Sequence, residues 1–484
     1  MSANIQNLEP KSLWKNFALL NAVPRASKKE KRVIEFAKNF GEKLGLETTV
    51  DDIGNVIIKK PASAGMENRT TIVMQSHLDM VHQKNTDTEF DFDTEGIKML
   101  IEGDWVRADG TTLGADNGIG VATIMALLES TDIPHPPLEA LFTIDEETGM
   151  TGALGLKGGY LNGKIMLNLD TEDDHELTIG CAGGIDVTAD GTYDIDNLAA
   201  PQRAWKVILK GLAGGHSGME IHLGKGNANK LMNRFLLEAT KKLNIRIHSI
   251  NGGGLRNAIP RESFSIVTVD KDNENELVKL VGKYLDIFQK EYQTTDPELT
   301  LQIEPSENIK TLIPISAHLN MLRSIYACPN GIYRMSPDIK DLVQTSNNVA
   351  RVLVENGKYK VLCLTRSSVD SEKIDEVNSI SSAFELIGAN VSYSGAYPGW
   401  TPKPGAEIVK IMSNLYQEMF DGKADVNACH AGLECGILGT NYPEMEMISF
   451  GPNIRGAHSP DEKVQISSVQ KFWKYLLETL KRIP

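Results

Sequence analysis

Short apolar runs alternate with segments of helical periodicity over the first 180 or so residues. "NVIIKK" at 55–60, "TIVMQSHLD" at 71–79, the stretch from Leu138 to Ile144 and Ile165–Leu169 read as buried strands. Val33, Phe36, Ala37, Phe40 and Leu44 share one helical face behind Ser27-x-x-Glu30, which has the form of a capping box. Gly118–Leu128 reads as another helix. Strands that are apolar throughout and interleaved with helices predict an α/β sheet covered on both faces.

The texture changes between 185 and 402. "AWKVILKGL" with a helix near Asn229–Leu243, and "KVLCLTRSSVDSEKIDEVNSISSAFELIGANVSYS", each give a β–α–β-like pattern and suggest an internal duplication without a fixed period. After the Pro/Gly-rich junction "GAYPGWTPKPG" the earlier character resumes. A helix is expected over Glu407–Met419, and a last one carries Val469, Phe472, Trp473, Leu476, Leu477 and Leu480 on one face. The predicted fold class is therefore α/β: a discontinuous domain formed by 1–184 and 403–484, with 185–402 inserted as an α+β domain. A chain of 484 residues, longer than one core usually supports, agrees with more than one domain.

Charge narrows the partners. Fifty basic against 64 acidic residues give a net charge of −14, which argues against a phosphate-backbone partner, so no nucleic acid is expected. Five cysteines, odd in number and without a C-x-x-C pair, fit a reducing cytoplasm and offer no thiolate zinc site. "MSANIQNLEPKSLWKN" lacks an apolar leader and no run of 18 apolar residues occurs, so neither export nor membrane partnership is expected.

The candidate chemistry sits where strands end. His77 and Asp79 lie two apart in "QSHLDM", on one face of a strand, as a metal-bound imidazole and its orienting carboxylate require. An ordinary polar strand terminus reads the same way. Asp116 lies among Gly114, Gly118 and Gly120 just before a helix, where a capping role is equally open. Asp145, Glu146 and Glu147 follow a strand directly, Asp170 ends another, and His458 falls in a turn. Stacked acids at a buried strand end are costly unless something positive meets them or they splay apart. In a doubly wound sheet these ends converge on one crevice. His, Asp and Glu ligands without cysteine favour zinc, manganese or cobalt, and two cations would stabilise so many acids.

Through "HLDMV", "GTTLGADNGIG", "EETGM", "NLDTED", "GGHSG", "LRNAIP", "HAGLECG" and "GAHSPDE", the chain resembles the M20 family of co-catalytic zinc peptidases over essentially its whole length. The resemblance implies a zinc-peptidase-type catalytic domain with a lid inserted at 185–402. It implies two divalent ions, foremost Zn2+ with Mn2+ or Co2+ as alternatives. His77 and Asp170 would hold one, Glu147 and His458 the other, and Asp116, joined to Asn117 by a cis bond in the family, would bridge them. Glu146 would be the general base and Asp79 the residue behind His77. In the lid, His216 would stabilise the oxyanion, and Asn257 and Arg366 would grip a substrate carboxylate. Gly432 offers backbone to the substrate, and Glu434 either faces its free amine or caps structurally.

The implied activity is metal-dependent hydrolysis of dipeptides with a free N-terminus, including Xaa-His dipeptides such as β-Ala-His. The implied partner is a small peptide. The same ligand set also serves carboxypeptidases, deacylases of N-acyl amino acids and aminotripeptidases, and a non-catalytic scaffold would be expected to lack a ligand or the base. In dimeric members the lid histidine comes from the partner subunit. An enlarged lid can supply it from its own chain, so a homodimer is compatible with the chemistry without being required.

Overall fold

The computed structural model describes residues 5–484. One compact unit runs to Gly180 and resumes over Trp400–Ala428 and Leu433–Pro484; the other comprises Cys181–Gly399 and Cys429–Gly432.

The first unit is built on an eight-stranded sheet whose four central strands, Leu138–Thr143, Ile72–His77, Ile165–Asn168 and Glu446–Ser449, run parallel. Ile72–His77 and Leu138–Thr143 are buried at every position, as strands covered on both faces must be. Helix Ala115–Glu129 is buried along almost its whole length, which explains why its sequence is apolar all round. Helix Lys11–Asn21 packs on it through Trp14, Phe17 and Leu20. The last helix, Ile466–Arg482, buries Val469, Phe472, Trp473, Leu476 and Leu480. Among the described residues no helix is long and apolar enough to cross a membrane.

The second unit carries a nine-stranded antiparallel sheet in which Val343–Glu355 and Lys358–Ser367 form a long central hairpin. Helices Ala228–Leu243, Glu274–Glu291, Ile315–Ala327 and Asp370–Glu385 close its core with Phe235, Phe288, Met321, Val377 and Phe384 against Val207, Val349 and Val361.

Two expectations need correction. Residues 403–484 were expected to stay in one domain, but Cys429–Gly432 passes into the second unit. The Ala182 amide donates to the carbonyls of Cys429 and Ala431 at 3.1 and 3.0 Å, and Ser346 Oγ meets His430 Nε2 at 2.7 Å. The capping box does not form either. Helix Lys31–Lys43 begins after Glu30 without a side-chain cap. The Ser27 hydroxyl donates instead to Asp79 Oδ2 at 2.8 Å, and Glu30 Oε1 accepts the Lys28 amide at 2.6 Å.

Candidate metal centre and the groups around it

Parallel strands share a carboxyl edge, so the residues following each one emerge along the same rim. His77 closes its strand there, and Glu146, Glu147 and Asp170 follow the two neighbours of that strand. Asp116 enters from the kinked start of Ala115–Glu129, where Asp116 and Asn117 leave helical geometry and the peptide between them is cis. His458 occupies a left-handed turn at φ 64° after Ile454–Arg455.

These side chains meet. His77 Nε2 lies 3.3 Å from Asp116 Oδ1 and 3.6 Å from Asp170 Oδ1. His458 Nε2 lies 3.1 Å from Asp116 Oδ2 and 3.0 Å from Glu147 Oε2. Asp116 thus turns one oxygen to each imidazole. On the far side of the His77 ring, Nδ1 lies 3.4 Å from Asp79 Oδ1 and 3.2 Å from the Asp79 carbonyl. Asp170 is held by the Asn117 side-chain amide, which also donates to Leu169 O at 2.7 Å.

The three consecutive acids splay. Asp145, left-handed at φ 54°, takes the hydroxyls of Thr148 and Thr151 and faces Lys28 Nζ at 3.8 Å. Glu147 turns to His458. The backbone amides of Glu146 and Glu147 donate to Asp79 at 3.0 and 3.3 Å, which fixes where both side chains start.

The electrostatics are those of an anionic cluster. Burial would lower the His77 imidazole, but Asp170, with hydrogen bonds to Asp116, Asp170 and Asp79, carries it well above its ordinary value. Hydrogen bonds to Asp116 and Glu147 carry His458 up to about 11. Burial would raise Asp116, yet His458 and His77 hold it below the usual carboxylate range. Burial pushes Asp170 up to about 6 against the pull of His77, and it raises Glu146 well above an ordinary glutamate.

The cluster fits divalent cations. Glu147 Oε1 is buried with no hydrogen-bond partner, a costly state for a carboxylate oxygen that a cation removes. His77, Asp116 and Asp170 each offer a ligand atom within 4.8 Å of the others, as do Asp116, Glu147 and His458. Two imidazoles and three carboxylates form the nitrogen–oxygen donor set such ions take, displacing the protons the imidazoles otherwise hold.

Glu434 also lies in the first unit, at the start of helix Glu434–Asn441. Its Oε2 accepts from Gln75 Nε2 and Thr143 Oγ1, each at 2.6 Å, while its buried Oε1 has no partner. Burial pushes it up to about 8.

The remaining sequence-named residues belong to the second unit. His216 Nδ1 accepts the amides of Gly218 and Met219 at 3.2 and 2.9 Å. Asn257 is exposed, and its carbonyl accepts the Ser217 amide at 2.8 Å, which ties it to the His216 turn. Buried Arg366 donates from Nη1 to Tyr397 Oη at 2.9 Å and leaves Nε without a partner. A Cβ on Gly218 would approach that Nε to 3.0 Å and collide with the His430 carbonyl. Gly432 ends the Cys429–Gly432 return. Sequence reasoning passed over His430, which burial and then Arg366 pull down to about 3, and also Tyr397, Arg25 and Glu462. His430 lies inside "HAGLECG" and Glu462 ends "GAHSPDE", but Arg25 and Tyr397 fall outside the motifs that carry the resemblance.

The model of peptidase family M20/M25/M40 matches residues 73–482. The chain belongs to this family. It is a metallopeptidase, a hydrolase whose chemistry depends on divalent metal ions. It is 43% identical over 482 residues to the cytosol non-specific dipeptidase of Escherichia coli, covering 100% of this chain and 99% of that one. The crystal structure of aminoacylhistidine dipeptidase from Vibrio alginolyticus superposes with a TM-score of 0.94 at 43% identity, over 99% of this chain and 98% of that chain. Aminopeptidase PepT from Bacillus cereus shares the fold at a TM-score of 0.57 and 16% identity, over 98% and 99% of the two chains.

Proposed function

We propose that this chain hydrolyses dipeptides with a free N-terminus, Xaa-His dipeptides such as β-Ala-His among them, at a centre of two divalent ions, foremost Zn2+. The observation that carries this reading is the carboxylate of Asp116, whose two oxygens face His77 and His458 separately. His77 and Asp170 would hold one ion, Glu147 and His458 the other, and Asp116 both. A pair of divalent ions supplies Lewis acidity, polarising a peptide carbonyl and acidifying water.

The chain's own residues do the rest. The Glu146 carboxylate takes the proton of the attacking water and passes it to the leaving amine nitrogen. Asp79 accepts from His77 Nδ1–H and so keeps Nε2 unprotonated toward the cluster. His216 donates from Nε2–H to the developing oxyanion. Arg366, with its planar fork, suits a peptide carboxylate, and exposed Asn257 and the Gly432 backbone add hydrogen bonds to the substrate. Glu434 receives the free amine at its bare Oε1. The names of the two 43%-identical relatives support the dipeptide substrate, and that of the Escherichia coli relative supports a cytoplasmic place of work.

Chelator-stripped protein assayed on β-Ala-His, Ala-His, Leu-Gly and N-acetyl-Ala, before and after Zn2+, Mn2+ or Co2+, tests the reading. Metal-restored cleavage confined to the free dipeptides is expected. Cleavage of N-acetyl-Ala instead would make the chain a deacylase, and ion binding without any cleavage would make it a scaffold.

A further inference from the structure

Two buried charged residues with no part in the reaction above converge on the segment that carries Asp116. Glu462 is 2% exposed. Its Oε2 accepts the amides of Leu113 and Gly114 at 2.7 and 2.9 Å, and its Oε1 those of Ala115 and Asp116 at 2.7 and 3.2 Å. Four successive backbone amides form the kind of concavity that binds anions, and here a side chain fills it.

Arg25 is 1% exposed and grips the same segment from its carbonyl side. Its Nη2 donates to Gly114 O at 2.6 Å and Asn21 Oδ1 at 3.0 Å, and its Nη1 to the carbonyls of Leu78 and Asp79, both at 3.0 Å. One guanidinium therefore ties the strand end that bears His77 to the turn that bears Asp116. Burial pulls it down to about 10, so it stays charged at neutral pH. Gly114 serves this contact: its φ of 68° favours glycine, and a Cβ there would collide with Arg25 Nη2.

In the proposed assignment Asp116 is the one ligand that both ions would share, with one oxygen toward His77 and the other toward His458. A displacement of 113–116 therefore disturbs both ion sites, whereas losing any other ligand disturbs its own. We propose that Arg25 and Glu462 are positioning residues that set Asp116 relative to His77 before any ion arrives, so that the two ions are kept or lost together. The inference rests on the proposed metal centre.

Titration of Zn2+ into chelator-stripped protein tests it. Glu462→Gln, which swaps an oxygen acceptor for an NH2 donor, and Arg25→Lys, which keeps the charge but not the fork, should each weaken both ions roughly 10- to 100-fold in a folded protein. His458→Ala should weaken one ion only. Unchanged affinity for either ion in a folded Glu462→Gln or Arg25→Lys variant overturns the proposal. A wild-type protein that binds no Zn2+ refutes the metal centre instead.

Hydrogen exchange on stripped wild-type protein covers the case in which the variants do not fold. The amides of Leu113, Gly114, Ala115 and Asp116 should stay protected without metal. Exchange at the rate of an unstructured chain would mean that metal, not the clamp, orders the segment, and would overturn the proposal.

Discussion

His216 Nδ1 accepts the backbone amide of Met219 at 2.9 Å. A ring nitrogen that accepts carries no proton, so the proton of the neutral ring sits on Nε2. Burial and then the Arg366 charge lower the imidazole below its ordinary value, which keeps the ring neutral at pH 7. A neutral Nε2–H donor suits an oxyanion, because it strengthens as charge develops. His216→Ala should lower kcat about 10²- to 10³-fold with metal content unchanged. His216→Gln, which retains an N–H donor, should recover part of the loss. Equal kcat in wild type and alanine variant, measured on Ala-His, would remove His216 from the mechanism.

Substitution of Glu146 leaves the backbone hydrogen bonds at this position in place. The backbone of Glu146 and Glu147 is pinned by Asp79, whichever side chain stands at 146. Glu146→Gln is therefore expected to bind both ions as wild type does and to lose about 10²- to 10⁴-fold in turnover. Metal analysis alongside the assay separates this from a ligand defect. Comparable activity in the variant would reassign the general base.

Glu434 is a sharper question, because Gln75 and Thr143 satisfy one of its oxygens and leave the other bare and buried. A charged hydrogen bond from a substrate amine to that oxygen is worth roughly 10- to 100-fold in kcat/KM. Glu434→Gln should erode the preference for Ala-His over its N-acetyl counterpart by that factor. If the preference survives intact, the acid is structural.

The sequence made part of this site legible and hid the rest for a physical reason. His77 closes an apolar strand and Glu147 and Asp170 follow two others, so the pattern puts them at strand ends that converge in a doubly wound sheet, and the glycines around Asp116 mark a tight approach. The role of Arg25 and Glu462 is hidden, since, apart from Asn21 Oδ1, their partners are backbone groups of residues 78, 79 and 113–116. Ser27 and Glu30 even mislead: their spacing fits a capping box, but tertiary contact with Asp79 takes the hydroxyl away. Strand and helix existence followed from local pattern. The return of Cys429–Gly432 to the second unit did not, because it depends on the Ala182 amide far away in the chain.

One acid outside the site should leave its mark on stability. Glu376, on helix Asp370–Glu385, is fully buried, and neither carboxylate oxygen has a hydrogen-bond partner. Burial, then the charges of Asp375 and Glu372, push it from 4.5 up to about 7. The folded pKa is raised, so the unfolded chain releases this proton first as pH climbs. The favourable contribution is complete below about pH 4.5 and is lost as pH rises through 7, a difference on the order of 3 kcal/mol. Glu376→Gln cannot ionise. Urea denaturation should show the variant gaining on wild type by about 2 to 3 kcal/mol between pH 5 and pH 8. A wild-type-to-variant difference that is the same at both pH values would show that Glu376 keeps an ordinary pKa in the folded protein.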